Sequence, residues 1–277
     1  MRRCRPLLGT FVEVECASSE AIDAAFAAVE QVHRLMSAHD PDSELSKVNR
    51  LAHCTPISVS EPTAAVLHRA AYWASMTDGA FNIVRAGRDA VARGALPLHP
   101  GQPRPDPTAD WTALHLDGRT VTLDRPACLD VGGIAKGYAV DLAVAAMQRA
   151  GAARGLVNAG GDLRGFGGEP RPVAVADPLT RRPQVMIAID NEALATSAGV
   201  AGKGAALDFS HLPRSNRRWL SVSVRATNAC DADALTKIVW AMGDGAAGLL
   251  LDHGAVAFAI DAHRRVNEIG LAVVAAA

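Results

Sequence analysis

No Cys-x-x-Cys pair occurs in this 277-residue chain, and no histidine stands at zinc-ligand spacing from a cysteine. That excludes the common zinc-finger and zinc-ribbon frameworks. The five cysteines, Cys4, Cys16, Cys54, Cys128 and Cys230, are odd in number and scattered, which speaks for a reducing compartment and against a disulfide scaffold. Charge of one sign is also missing: 28 basic against 29 acidic residues leave a net −1, so no electrostatic footprint for nucleic acid or an anionic membrane surface is present. No apolar stretch approaches the roughly 20 residues of a membrane helix. Met1 to Gly9 carries the charge of a signal peptide but no apolar segment follows, and no lipoprotein box is apparent, so the expected location is cytoplasmic. Aromatics are sparse at 4%, while alanine is abundant, a composition suited to helices packed closely on sheets.

What is present begins with Asp130-Val131-Gly132-Gly133-Ile134-Ala135-Lys136-Gly137. Adjacent glycines remove the Cβ atoms that would hold a large anion off the backbone, and the N–H groups of a following helix favour such a ligand. A P-loop needs Gly-Lys-Ser/Thr, whereas here Lys136 precedes Gly137, and the dinucleotide-fold fingerprint fails too. Phosphate recognition and a plain strand-to-helix turn with a solvated lysine are both open from this run alone.

Local patterning predicts mixed elements. Phe11 to Cys16 alternates like a half-buried strand. Ser18 or Ser19 caps a helix carrying Ile22, Phe26, Val29, Val32 and Met36, and Ser60-Glu61-Pro62 opens a second long helix that stops at Asp78-Gly79. The prolines between Pro97 and Pro107 exclude regular structure. Asp117-Gly118 marks a hairpin that feeds a strand toward Asp130, placing the double glycine at a strand's end. A helix follows from Ile134 to Ala150, and another from Asp233 to Met242, with short strands near Leu156, Val173, Val185, Ser221 and Val256. The chain is long enough for one large domain or two fused subdomains, and alternation of elements leaves α/β and α+β both open.

Several blocks then stand in a recognisable order: Met36-Ser37-Ala38-His39-Asp40-Pro41-Asp42-Ser43, Asp78-Gly79-Ala80-Phe81-Asn82, the double-glycine run, Tyr138-Ala139-Val140-Asp141, Asn158-Ala159-Gly160-Gly161-Asp162, Ala195-Thr196-Ser197 and Ala232-Asp233-Ala234-Leu235. In these the chain resembles the ApbE family of FAD:protein FMN transferases, over nearly its whole length. The resemblance implies an α+β roll of two similar halves with the flavin dinucleotide between them, forming a single domain over residues 5–275.

It also implies the chemistry: FAD is split at its pyrophosphate, FMN passes to a threonine or serine hydroxyl of a target flavoprotein as a phosphodiester, and AMP leaves. Carried over position by position, Met36, Ala80, Phe81 and Asn82 lie against the flavin or its ribityl chain, and Asp130 and Lys136 lie near the phosphates. Asn82 stands where the family has aspartate. The family's general base is a loop histidine, for which His211 is the candidate, since imidazole titrates near neutrality. The loop after it, Leu212-Pro213-Arg214-Ser215-Asn216, departs from the family pattern and bears on target recognition.

The metal position departs furthest. The family's magnesium ion is held by an aspartate, a hydroxyl four residues later on the same helix face, and a backbone carbonyl at Gly133. Asp233 fits, but Lys237 occupies its partner position, and an ammonium cannot ligate a cation. Thr236 as substitute ligand, Lys237 as replacement for part of the ion's charge, and a plain surface ion pair are the three readings. Outside the transferase class, an FAD pyrophosphatase and a non-catalytic FAD-binding protein are the alternatives.

Overall fold

A computed structural model describes residues 1–201, 207–208 and 219–271. In chain order the elements are β1 (Arg2–Leu7), β2 (Thr10–Cys16), α1 (Ser19–Met36), α2 (Glu44–Leu51), β3 (Ile57–Ser58), α3 (Glu61–Met76), α4 (Ile83–Ala92), β4 (Leu114–Asp117) and β5 (Thr120–Leu123). They continue with α5 (Ala135–Arg149), β6 (Gly155–Ala159), β7 (Asp162–Phe166), β8 (Arg171–Ala176), β9 (Pro183–Ile189), β10 (Ala193–Ala198), β11 (Val200–Ala201) and β12 (Leu207–Asp208). Last come β13 (Trp219–Ala226), α6 (Ala229–Met242), α7 (Ala247–Asp252), β14 (Val256–Asp261) and β15 (Val266–Ile269). The class is α+β: among the described residues every strand pairing is antiparallel, and helices stand beside the sheets in the chain order.

Two units divide the chain: Met1–Phe26 with Lys136–Ala277, and Ala27–Ala135. The first is built on an eight-stranded sheet in the order β1-β2-β6-β7-β10-β13-β14-β15. Its helix-facing side draws on the fully buried Val222 and Val224 of β13 and Ala195 of β10. These receive α6, whose Ala232, Ala234, Leu235, Ile238 and Val239 are wholly buried. The opposite face carries Leu163, Leu194, Phe258 and Ile260 and is covered by Val175, Ile187 and Ile189 of the β8–β9 hairpin.

Alanine and glycine let α5 and α6 approach closely. A Cβ at Gly137 would overlap the carbonyl of Ala229, so only glycine fits where the two helices touch. The contact is pinned by Asp141, whose carboxylate accepts from the backbone N–H groups of Ala229 (3.0 Å) and Cys230 (2.9 Å) and from Arg164 (2.7 Å). It satisfies donors that the first turn of α6 leaves unpaired, alongside the Asn228 cap. Burial lifts the Asp141 carboxyl above its ordinary range even against those donors.

The second unit carries the sheet β3-β5-β4 with α2, α3 and α4. Its core includes Trp73, Leu67, Leu45 and Leu129. Glu44, at the start of α2, accepts from the Ser60 N–H (3.0 Å) and from the hydroxyls of Ser60 (2.7 Å) and Thr63 (2.5 Å), fastening the start of α3.

Four expectations need correction. The double-glycine run follows no strand: β5 ends at Leu123, and residues 124–130 carry no ladder. The helix expected from Asp233 begins four residues earlier, because Asn228 rather than a residue within the apolar run supplies the cap. Helices α2 and α4 were absent from the periodicity reading; both are short and start at polar side-chain caps, Ser43 and Asn82. Finally, residues 229–252 taken together are long and apolar enough to cross a membrane by composition, with mean hydropathy 1.3. The run is interrupted at Gly243, where φ is 58°, and its α6 portion is a core helix of the sheet.

Candidate active site

In the second unit, the turn after α3 holds the first group of expected ligand residues. Thr77 accepts the Phe81 N–H (3.1 Å) and donates to the Trp73 carbonyl (2.6 Å), fixing a turn in which Asp78 and Gly79 take φ of 46° and 73°. Phe81 is buried, as an ordinary core aromatic would be, and Met36 is buried at the end of α1. Ala80 is partly exposed. Asn82 spends its carbonyl oxygen on the α4 N-terminus, accepting from the Arg85 N–H at 2.9 Å, while its amide donates to Asp110. An asparagine caps as well as an aspartate does, and its amide adds a donor for Asp110 that an aspartate would lack.

Asp130 lies in the same unit, its N–H donating to the Ile83 carbonyl at 2.9 Å. Its carboxylate accepts the Gly132 N–H at 2.8 Å, closing a tight turn just before α5. The glycines Gly132 and Gly133 therefore shape a turn first. The nearby Cys128 thiol is pushed up to about 11 by burial and then by the Asp130 charge, so it carries no thiolate at neutral pH.

The first unit holds a different kind of cluster. The Lys136 ammonium, in the first turn of α5, lies 2.9 Å from Asp162 and 3.2 Å from Asp233. Lys237, one turn along α6, bonds both the carboxylate and the backbone carbonyl (3.1 Å) of Asp233. The Gly137 N–H also points at Asp233, at 3.3 Å. The two carboxylates are 0–1% exposed, whereas the side chains of Lys136 and Lys237 keep 28% and 15% of their surface in solvent. Both lysine side chains thus keep part of their surface in solvent while the carboxylates they bond do not.

The electrostatics follow from that layering. Burial opposes ionisation of Asp233, but Lys136 and Lys237 overcome it and hold the carboxyl below its ordinary range. Burial raises Asp162, and the negative charge of Asp233 raises it further, with Lys136 and Lys237 only partly offsetting both. Burial would lower Lys136, yet Asp162 and Asp233 hold it above the usual lysine range, so it is a fixed cation. Of the pair, Asp162 takes up a proton first as pH falls.

Sequence reasoning named Lys136, Asp233, Thr236 and Lys237, and the structure brings them together. It did not assign Asp162 a role, although Asp162 closes the Gly160-Gly161 turn in one of the resembling blocks; burial at 1% is what marks it, and sequence does not display burial. His211 lies outside the described residues, as do Arg214, Arg217 and Arg218.

The sequence profile of the ApbE family matches residues 8–259. The chain belongs to the ApbE family. It is 29% identical over 243 residues to the FAD:protein FMN transferase of Vibrio cholerae, an alignment covering 78% of this chain and 71% of that protein. The solved flavin transferase ApbE from Vibrio cholerae superposes with a TM-score of 0.78 at 25% identity, covering 97% of this chain and 96% of that one. The ApbE protein of Thermotoga maritima superposes at 0.82, covering the same shares at 23% identity, a likeness of fold.

Within this ApbE-family chain the donors around Asp233 do not fit a magnesium ion. Magnesium needs oxygen lone pairs in a near-octahedral shell at about 2.1 Å. Here both Asp233 oxygens already accept from N–H donors. The Thr236 hydroxyl donates to the Asp233 carbonyl (2.7 Å), pairs with Ser197 Oγ (2.7 Å) and is fully buried, so it is not offered to an ion beside Lys237. Among the described residues no group of three or more His, Cys, Asp or Glu side chains is placed to hold a metal ion. A dication beside either ammonium would meet about twice the roughly 4 kcal/mol that two unit charges feel at 4 Å near a protein surface.

Proposed function

We propose that this chain transfers FMN from FAD to a threonine or serine hydroxyl of a target flavoprotein, releasing AMP. The acceptor oxygen forms a new bond to the FMN phosphorus, and the bond from that phosphorus to the bridging oxygen breaks. AMP departs with the bridging oxygen, and the hydroxyl proton passes to a base. Phosphoryl transfer of this kind demands in-line positioning and neutralisation of the equatorial oxygens more than covalent help from the protein.

The observation that carries this reading is the pair of partly exposed lysines, Lys136 and Lys237, anchored on buried Asp162 and Asp233. Its cations are pre-oriented by carboxylates that no water solvates, so they need little reorganisation as charge develops on phosphorus. Family membership supplies the identity of the anion, FAD. His211 is the proposed general base, Met36, Ala80, Phe81, Asn82 and Asp130 the proposed flavin and phosphate contacts, and 5–275 the proposed extent of a single catalytic domain. Asn82 and Phe81 act there through the turn they fix, since the cap and the core already engage them. The proposed setting is the cytoplasm, with a soluble or cytoplasm-facing target.

Incubation with FAD and a threonine-bearing acceptor, followed by denaturing electrophoresis, tests this directly. A flavin-fluorescent acceptor band and AMP released only when acceptor is present are the expected results. Free FMN and AMP without acceptor would replace transfer with hydrolysis, and FAD recovered intact would leave a binding protein. His211→Ala is expected to abolish the fluorescent band while FAD is still retained.

A further inference from the structure

The charge balance around Asp233 raises a question that rests on FMN transfer at this site: what cation faces the diphosphate of FAD. Two carboxylates, Asp162 and Asp233, are matched by two ammonium groups, Lys136 and Lys237, so the cluster is neutral before any ligand arrives. Each oxygen of Asp233 that would attract a metal ion is committed. Asp233 Oδ1 accepts from Lys237, Oδ2 accepts from Lys136 and the Gly137 N–H, and the Asp233 carbonyl accepts from Thr236 and Lys237.

We propose that the Lys237 ammonium takes the place of a divalent cation in this chain, so that FAD binding and FMN transfer proceed without one. Residues four apart on a helix are neighbours, and a lysine stem there is long enough to bring Nζ over the carboxylate of the preceding turn. Two of the three Nζ–H donors of Lys237 are engaged by the Asp233 carboxylate and carbonyl. An ammonium carries three such donors, which leaves one beyond those two for a phosphoryl oxygen, and the Lys237 side chain keeps 15% of its surface in solvent. Lys136, anchored on Asp162 and Asp233, supplies the second positive charge. Together they carry the charge of one divalent ion as two hydrogen-bond donors of fixed position, which suits a diphosphate whose oxygens must be neutralised without being coordinated.

The test begins with cation binding to the FAD-free full-length chain, which needs no acceptor and so stands whether or not FMN transfer is found. Manganese(II), read by its paramagnetic resonance signal, is expected to stay free in the presence of the wild-type protein. In Lys237→Thr, where a hydroxyl replaces the ammonium beside Asp233, a manganese site is expected to appear, and Asp233→Asn in that background should remove it. FAD retention by the wild type, read by fluorescence, is expected to be the same in chelator as in magnesium. Where transfer is measurable, its rate should change by less than about twofold between those conditions, while Lys237→Thr should need the metal by roughly tenfold or more. A wild-type manganese site lost on Asp233→Asn overturns the proposal, and so does FAD retention or transfer abolished by chelator. Should Lys237→Thr fail to fold, the wild-type measurements decide alone.

Discussion

Two polar groupings were expected to meet the ligand, and they are built for different ends. Around Asn82 the bonds serve the starts of helical turns: its oxygen caps α4 through Arg85, its amide meets Asp110, and Asp110 in turn accepts the Trp111 N–H at 2.8 Å. A helix start needs such partners wherever it occurs. Around Asp233 the bonds join residues 136, 162 and 233: its carboxylate takes the Gly137 N–H in the first turn of α5, but no helix end requires the Lys136 and Lys237 ammonium groups or the buried Asp162 beside it. Two buried carboxylates cost several kcal/mol each before their partners offset it. An alanine-rich sheet-and-helix core had cheaper residues for those positions. The contrast shows that a polar residue whose environment local structure already explains is weak testimony to function, whereas a buried charge that the fold does not need is strong testimony.

The largest effect should come from breaking the second grouping outright. Asp233→Ala leaves Lys136 and Lys237 over a single carboxylate, and removal of one member of a buried charge network costs about 3–5 kcal/mol. Urea denaturation should show that loss, with FAD retention falling alongside it. If stability changed by no more than a surface substitution does, the cluster would be no more consequential than the α4 cap, and the comparison would fail.

Next in size is the helix contact that brings Lys136 to the cluster. Gly137→Ala places a methyl against the Ala229 carbonyl and pushes α5 from α6. Overpacking of this kind costs about 1–3 kcal/mol. Because Lys136 is the adjacent residue, FAD affinity should weaken as well, which calorimetric titration with FAD would register. A matched change at Gly118, where nothing lies within 4 Å but φ is 54°, should lower stability through backbone strain and leave FAD affinity intact.

These residues also show where sequence was legible. The ends of α1, α3 and α5, the Asp117-Gly118 hairpin and the proline-rich connection were visible because caps, turn residues and prolines are local signals. Strand β7 was not, since Asp162 to Phe166 is buried at four of five positions and shows no alternation. Strand β1 was masked by its arginines: Arg2, Arg3 and Arg5 interrupt the apolar alternation of a strand, yet the segment pairs with β2 and its arginines reach Glu13 and Asp23. At the site, motif order delivered Lys136, Asp233 and Lys237, but the role of Asp162 and the inward turn of Thr236 are properties of packing, which no spacing encodes.

Acid titration sharpens the comparison further. Asp233 is held below its unfolded value, so its stabilisation is present above the ordinary carboxylate range and is lost as pH falls through the lower folded value. Asp162 is held above its unfolded value, so it costs stability as pH rises from that range through its folded value. Lys136 is raised, and its contribution persists below the ordinary lysine value and fades only as pH climbs past the folded one. In Asp233→Asn the acid-side loss from that residue should vanish, while the Asp162 penalty, whose relief on acidification raises stability, should shrink with its like-charged neighbour gone and offset only part of that gain. Denaturation free energies followed from neutral to strongly acidic pH should therefore fall less steeply in the variant than in the wild type.

The smallest effect is expected at the first grouping. Asn82→Ala removes the α4 cap, a loss of about 1 kcal/mol, and strands the Asp110 carboxylate without the amide it accepts from. Asn82→Asp keeps the cap but sets two carboxylates together, so one of them must ionise above its ordinary range and the variant should lose stability as pH rises through that value. Thermal denaturation at two pH values separates the substitutions: the alanine variant should be shifted by a similar amount at both, and the aspartate variant mainly at the higher. A pH-independent aspartate variant with unchanged stability would show that Asp110 turns away from residue 82 and that this grouping is looser than the hydrogen bonds around α4 imply.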